Sequence, residues 1–578
     1  MRRTVLAAAA TLAFAAPLTA QTNPGLRVEP CEVPGAGAAR CGTLQVWENL
    51  AARSGRKIPI RFIVLPATGA ASRDPIVPIA GGPGQATTDG AAGAAQELKE
   101  LRDTRDILLV DARGTGGSNL LRCSLYGPSL AEYLGDFYPA ERVRRCAAEW
   151  SGKADLSAYT TDNMADDLDE LRAALGYERL NLYGTSYGTR AALVYMRRYP
   201  QRVRTSILHG VVPTGVRMPS RTAPDAQRAI EGVLGECERE PACNAAYPGL
   251  KDKLRTVVER LAREPVDVTV IDPKSGEPAR LTLTRNLFAE GLRYMTYGAS
   301  AASLVPAVIH QASRGDFGPA AEQALFGRRF IIDEGSHGLY LSVTCAEDLP
   351  FFEEEAAVRE AQSSYLGDYR VRNQKAACAA WPVRPVERTF LEPVRSDAPV
   401  LALTGQWDPA TPPAQGDEAM RTLPNGRHIV VPSAGHGFDG LQGTSECITP
   451  LLVAFIRTAD AKGLDASCVA SIRRPPFPVR TLATTPVAMT AAELERFTGA
   501  FAGEHGLKLE MRVRDGRLHA LLPGRDFGMI PVGPATFRFL GVPHLSITFH
   551  REGGAVTGFT LEEGGAPPER FTRTGSAN

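Results

Sequence analysis

The apolar positions of this chain fall into three textures, and each predicts a different kind of structure. The first is a set of continuous apolar runs, 57–65 (KIPIRFIVL), 75–80 (PIVPIA) and 106–111 (DILLVD). They are rich in β-branched residues and do not alternate with polar ones, as expected of strands buried on both faces of a parallel sheet. Next, 161–176 sets Met164, Leu168, Leu171 and Leu175 at helical spacing, with acidic residues near the start and Gly176 at the end. A strand at 179–183, a tight turn, a helix at 188–198 and a strand at 204–209 continue the alternation. Further strands at 399–404 and 427–432 and a helix at 445–458 resume it. The β/α rhythm predicts an α/β fold, a mostly parallel sheet with helices on both faces.

The second texture fills the gap. From about 215 to 390 the rhythm stops, and Ala- and Glu-rich stretches at 224–236, 248–263, 302–314 and 351–364 read as helices. This predicts a helical insertion between sheet strands, a lid. The third texture begins after 471–488, where Pro475, Pro476, Pro478 and Pro486 indicate a linker. Short strand-like segments follow at 507–513, 517–522, 536–540, 545–550 and 555–561, separated by Asp515-Gly516, Gly541 and Gly553-Gly554. They predict a small all-β domain, barrel-like, with no catalytic constellation of its own.

The extreme N-terminus fits none of these textures. Met1-Arg2-Arg3 is a positive n-region, Val5 to Ala16 an apolar h-region, and Leu18-Thr19-Ala20 a small-x-small cleavage site. The pattern predicts a signal peptide at 1–20 and a mature chain from Gln21. The apolar run is shorter than the ~20 residues a membrane span needs. No Cys follows the cleavage site to carry a lipid anchor. The predicted organisation is therefore a signal peptide (1–20), a first sheet segment (21–214), a lid (215–390), a second sheet segment (391–470), a linker (471–488) and a β domain (489–578).

Export changes how the ten Cys residues read. In an oxidising compartment an even set is most simply a set of disulfides. In order they form neighbouring pairs: Cys31 with Cys41, Cys123 with Cys146, Cys237 with Cys243, Cys345 with Cys378, and Cys447 with Cys468. There is no CxxC and no Cys/His cluster of zinc spacing, so no metal is expected. The chain is 44% hydrophobic and 22% charged, with 65 basic and 64 acidic residues. That balance offers no basic field for nucleic acid or a membrane surface.

Candidate chemistry sits at the ends of the predicted strands. Gly184-Thr185-Ser186-Tyr187-Gly188 lies between a buried strand and a helix, the setting of a nucleophile elbow. Asp408 follows strand 399–404, and His436 lies in a Gly-flanked loop after strand 427–432. The order Ser186, Asp408, His436 is that of α/β-hydrolases. Ala80-Gly81-Gly82-Pro83-Gly84 follows strand 75–80 and suits an oxyanion donor, the other being the Tyr187 N–H.

These motifs resemble the proline-iminopeptidase family of α/β-hydrolases, and more closely its secreted tripeptidyl-aminopeptidase-like branch. The resemblance rests on GGPG at 81–84, DARGTGGS at 111–118, TDNMADDLDELRAALG at 161–176, YGTSYGTR at 183–190, GQWDPATP at 405–412 and SAGHG at 433–437. It implies Ser186 as nucleophile, His436 as base, Asp408 as the acidic member, and oxyanion donors at Gly82 and Tyr187. It implies peptides with a free N-terminus as substrate, and no cofactor. Iminopeptidases proper begin the glycine loop with His where this chain has Ala80, which argues against strict N-terminal proline specificity. The β domain loosely resembles lipocalin-like modules.

A free α-ammonium group calls for carboxylates in the lid wall. The expected pair is Glu347 and Asp348, held by a disulfide at Cys345. The rival readings are a carboxylesterase using the same three residues and a secreted binding protein without activity.

Overall fold

The continuous apolar runs assemble into one sheet. In the computed structural model of the protein, residues 24–575 are described except 273–274, 334, 483–484, 505, 523–524, 541 and 564–567. The expected signal peptide lies outside the described residues. The strands are β1 (Leu26–Val33), β2 (Gly37–Trp47), β3 (Lys57–Leu65), β4 (Ile76–Ile79), β5 (Ile107–Val110), β6 (Leu180–Thr185), β7 (Val203–His209), β8 (Val266–Ile271), β9 (Pro278–Leu283), β10 (Val400–Gly405) and β11 (Gly426–Val431). Among the described residues nine of them form one sheet, in the order β1-β2-β3-β5-β4-β6-β7-β10-β11. β1, β2, β3 and β5 pair antiparallel, and from β5 through β11 every pairing is parallel. The loops leaving β4, β5, β6, β7, β10 and β11 therefore start from the same edge of the sheet, where α/β folds gather their functional loops.

Each face of the sheet carries its own core. On one side Phe62, Leu108, Leu182 and Tyr195 pack with the helices Thr161–Ala174 and Tyr187–Arg198. On the other, Leu65, Ile107, Leu403 and Phe455 pack with the helix Thr444–Thr458. Lid residues Ile230, Leu254, Phe288 and Leu325 join the first cluster, so the insertion shares its core with the sheet.

Two elements were not expected. The β1–β2 hairpin extends the sheet at its antiparallel edge, and β8 and β9 form a hairpin inside the otherwise helical insertion. β1 is almost wholly exposed, so nothing constrains its residues to alternate in the way that reveals a strand. The expected helix at 302–314 is two helices, Ala299–Ser303 and Val305–Ser313, meeting ahead of Pro306.

The C-terminal strands close an eight-stranded antiparallel barrel. They are β12 (Gly499–Gly503), β13 (Lys508–Arg514), β14 (Arg517–Leu522), β15 (Arg525–Pro531), β16 (Thr536–Phe539), β17 (Val542–Glu552), β18 (Ala555–Glu563) and β19 (Glu569–Gly575). The unforeseen β12, β15 and β19 complete the closure, with β12 pairing β19. The barrel core is built of phenylalanines: Phe497, Phe501, Phe537, Phe549, Phe559 and Phe571 are all buried, and Phe559 stacks on Phe571 at 4.6 Å.

The barrel is fastened to the insertion. Arg538 on β16 makes a two-pronged pair with Glu322 of the helix Gly318–Asp333, its Nη2 donating to Glu322 Oε1 at 2.8 Å. The proline-rich stretch before the barrel is tied down as well: the Leu482 amide donates to Gln311 Oε1 at 2.8 Å, and Arg474 pairs with Glu236 and Glu240. All ten cysteines are bonded, Cys31–Cys41, Cys123–Cys146, Cys237–Cys243, Cys345–Cys378 and Cys447–Cys468.

Candidate active site

Ser186 sits between the end of β6 and the helix Tyr187–Arg198 with φ 56° and ψ −126°. A non-glycine residue holds such a conformation only when its surroundings enforce it. Here the Ser186 amide donates to the His209 carbonyl at the end of β7 at 2.8 Å. Gly188 lets the helix start hard against β4, because a Cβ there would lie 2.1 Å from the Ile79 carbonyl oxygen.

Asp408, in the loop after β10, is fully buried. Its Oδ1 accepts from the amides of Ala410 and Thr411, both at 2.8 Å, and its Oδ2 accepts from Thr411 Oγ1 at 2.7 Å and His436 Nδ1 at 2.9 Å. Burial alone would raise this carboxyl, but His436 and the Thr411 donors outweigh it and hold Asp408 well below the ordinary carboxylate range. An ionised carboxylate can only accept, so Nδ1 of His436 carries the proton and Nε2 is left basic. The His436 ring lies over Gly210, where a Cβ would be 3.2 Å from His436 Cε1. Gly210 directly follows His209, whose carbonyl holds the Ser186 amide, so Ser186 and His436 both pack at the end of β7. Tyr297 meets the His436 ring edge-on at 5.0 Å, and its carbonyl accepts from the Gly437 amide at 2.8 Å. His209 stays neutral, since burial, and then its nearness to His436, push it down to about 4.

The glycine loop closes over the elbow: a Cβ on Gly81 would be 3.0 Å from that of Ser186. Gly82 has φ 109°, and Tyr187 is the first residue of its helix, where the backbone N–H has no partner within the helix. The DARGTGGS loop supports this arrangement from below. Asp111 accepts from Thr88 N, Thr88 Oγ1 and Gly117 N within 3.0 Å. Buried Arg113 makes two 2.7 Å bonds to Asp167 and donates to the Glu48 and Ala158 carbonyls.

A cavity of about 190 Å³ opens beside Ser186, lined largely by residues of the helical insertion. Gly82, Thr411, Tyr297, Tyr340, Arg293 and Arg370 contribute to its wall. Glu347 and Asp348 do not, and the expectation that they face the substrate is corrected. Both are 0% exposed and lie behind the Ser186 helix. Glu347 accepts from Thr161 N at 2.6 Å and Thr161 Oγ1 at 2.8 Å, and Thr161 Oγ1 also meets the Tyr187 hydroxyl at 2.6 Å. Asp348 accepts from Arg190 Nη1 at 2.9 Å. The chain at Thr344–Asp348 winds as a wide helical turn that directs both carboxylates inward, toward Arg190 of the Ser186 helix. Burial pushes the Glu347 carboxyl up to about 7 against the pull of Arg190.

Sequence reasoning missed Thr411, Tyr297, Arg293 and Arg370. Thr411 lies inside GQWDPATP and was legible there as a neighbour of Asp408. The other three come from helices and a turn with no distinctive motif.

Two family profiles match the chain: "alpha/beta hydrolase fold" over residues 74–245 and "TAP-like protein" over residues 363–468. The chain is a TAP-like α/β-hydrolase. Among its relatives, serine protease Hip1 of Mycobacterium tuberculosis is 26% identical over 484 residues, 75% of this chain and 88% of its own. Tripeptidyl aminopeptidase of Streptomyces coelicolor is 24% identical over 460 residues, 74% and 83%. Carboxylesterase B of Mycobacterium tuberculosis is 26% identical over 439 residues, 70% and 81%. The TAP-like hydrolase is an enzyme of the serine-hydrolase class. Among its described residues no group of three His, Cys, Asp or Glu side chains could hold a metal ion, and no helix is long and apolar enough to cross a membrane.

Proposed function

We propose that this enzyme cleaves peptides near a free N-terminus through an acyl-enzyme on Ser186. The reading is carried by one observation: Ser186 is held in a strained turn at the wall of a small cavity, with the Asp408–His436 pair beside it. A small cavity admits a chain end but not the middle of a folded chain. The relatives named as a protease and a tripeptidyl aminopeptidase support a peptide substrate. Five disulfides support an exported enzyme.

In this mechanism His436 Nε2 takes the Ser186 proton as Oγ attacks the scissile carbonyl. Asp408 fixes the imidazole tautomer and stabilises the imidazolium. The N–H groups of Gly82 and Tyr187 receive the oxyanion, and losing one such donor costs ~3 kcal/mol. His436 then protonates the leaving amine, and water attacks the acyl-enzyme by the reverse route.

The test is a digest of peptides with free and N-acetylated termini, read by mass. Free peptides should lose N-terminal residues, acetylated ones should be spared, and Ser186→Ala should lower kcat by about 10⁶-fold. Equal turnover of both peptide sets would sink the reading. A second reading, a carboxylesterase, is favoured by the absence of any carboxylate among the described residues lining the cavity. It predicts hydrolysis of p-nitrophenyl esters and none of peptide anilides.

A further inference from the structure

The cavity wall carries positive charge that the protein only partly neutralises. Arg293, on the helix Arg285–Met295, and Arg370, at the start of the helix Tyr369–Ala379, both line the cavity that holds Ser186. Arg328 lies behind them, stacked 3.8 Å over Phe137 and bonded to the backbone carbonyls of Tyr133 and Gly135. Among the described residues one carboxylate, Glu290, pairs with Arg370 and approaches Arg293. Arg370 donates to it from Nε at 2.7 Å and from Nη2 at 3.4 Å, whereas Arg293 Nη1 stays 3.9 Å away. What remains for the two cavity arginines is weakly accepting: Arg293 Nη2 donates to the Tyr297 hydroxyl at 2.9 Å, and Arg370 Nη2 to the Tyr294 hydroxyl at 3.2 Å. Arg293 is only 6% exposed, and its Nε has no hydrogen-bond partner.

A buried guanidinium served by phenols and an open N–H is poorly satisfied, and a carboxylate matches its geometry and charge. We propose that Arg293 and Arg370 form an anion subsite, so that the enzyme prefers an acidic residue, Asp or Glu, on the acyl side of the bond it cleaves. This rests on the reading of Ser186 as the nucleophile of a peptidase. The arginines touch the acyl side chain and take no part in bond making. Tyr297 links the subsite to the chemistry, since its hydroxyl accepts from Arg293 and its ring borders His436.

Glutamyl and glutaminyl substrates differ in charge but hardly in shape, so their ratio isolates the subsite. The experiment measures kcat/KM for Glu- and Gln-p-nitroanilide and for Ala-Ala-Glu- and Ala-Ala-Gln-p-nitroanilide. Wild type should favour Glu by about tenfold or more in whichever pair it cleaves. R293Q and R370Q should bring the ratio to about one, and R293K should retain a preference for Glu. A wild-type ratio at or below one, or a ratio unmoved in R293Q and R370Q, overturns the proposal. A second measurement, protection of Ser186 from fluorophosphonate labelling by glutarate or by its neutral diamide, needs no peptide turnover. If no anilide is cleaved while Ser186 is labelled, the peptidase reading fails. Selective protection by glutarate then still supports the subsite, and equal protection by both compounds overturns it.

Discussion

Two buried charge clusters stand one layer behind the candidate catalytic residues, and they are built in opposite proportions. Behind Ser186, Arg190 faces two carboxylates, Glu347 and Asp348, all three sealed from solvent. Behind His436, Arg293 and Arg370 share Glu290, with Arg328 beside them, and the first two border a cavity. An unpaired atom alone does not separate the clusters, because Arg190 Nε also lacks a partner. The separation comes from the adjoining space. The acid-rich cluster has nowhere to receive a ligand, so its bonds can only hold two helices and the Thr344–Asp348 turn together. The arginine-rich cluster opens onto the place where a substrate sits. A buried imbalance of charge reads as structure when it is walled in, and as recognition when it faces a void.

The contrast predicts a graded set of outcomes. Arg190→Met should be the most damaging change, costing about 3–5 kcal/mol because it strands two buried carboxylates. Chemical denaturation would measure it, and an unaltered midpoint would show that the cluster is not locked by charge. Thr161→Val removes one donor from Glu347 and a partner from Tyr187, and should cost about 1–3 kcal/mol in the same assay.

A pH series then tests Glu347 by itself. Its carboxyl, ordinarily near 4.5, is pushed up to about 7 in the fold, so between those values the folded chain holds a proton that the unfolded chain has lost. This contribution is complete below pH 4.5 and lost as pH rises through 7. The stability of wild type relative to Glu347→Gln should therefore fall between pH 5 and pH 8, and a flat difference would refute the assignment. At the arginine-rich cluster, Tyr297→Phe removes one acceptor from Arg293 and should cost about 1 kcal/mol, the low end for a buried donor, because the freed N–H borders a cavity. A loss as large as that of Arg190→Met would erase the distinction between the clusters.

The sheet was legible because each buried strand is a continuous apolar run and each candidate catalytic residue sits in a short glycine-flanked segment just beyond one. Such signals are local. Ser186, Asp408 and His436 could be read in sequence order without knowing what lay between them. The cavity wall had no such signal. Arg293 and Arg370 are 77 positions apart, and arginine is the chain's prevailing cation, so neither stands out until the helices are packed. Glu347 and Asp348 were misplaced for a related reason. Their position next to Cys345 was visible, but the direction in which the turn aims them depends on Arg190, more than 150 residues away. The β1–β2 hairpin was missed because no residue of β1 is buried, whereas β8–β9 alternates (VDVTVI, PARLTL) and was hidden only by the helical texture around it.

The Arg538–Glu322 clamp gains meaning from where its helix ends. The helix Gly318–Asp333 is gripped by the barrel at Glu322, and its far end supplies Phe330 and Ile331 to the cavity wall. Eight residues of helix separate these points, about 12 Å at ~1.5 Å per residue. In mechanical terms the helix is a beam held at both ends, by the barrel at Glu322 and, beside the cavity wall, by Arg328 on the Tyr133 and Gly135 carbonyls and Arg329 on Asp272. The phenylalanine-packed barrel thus braces one end of a beam whose other end shapes the wall beside Ser186.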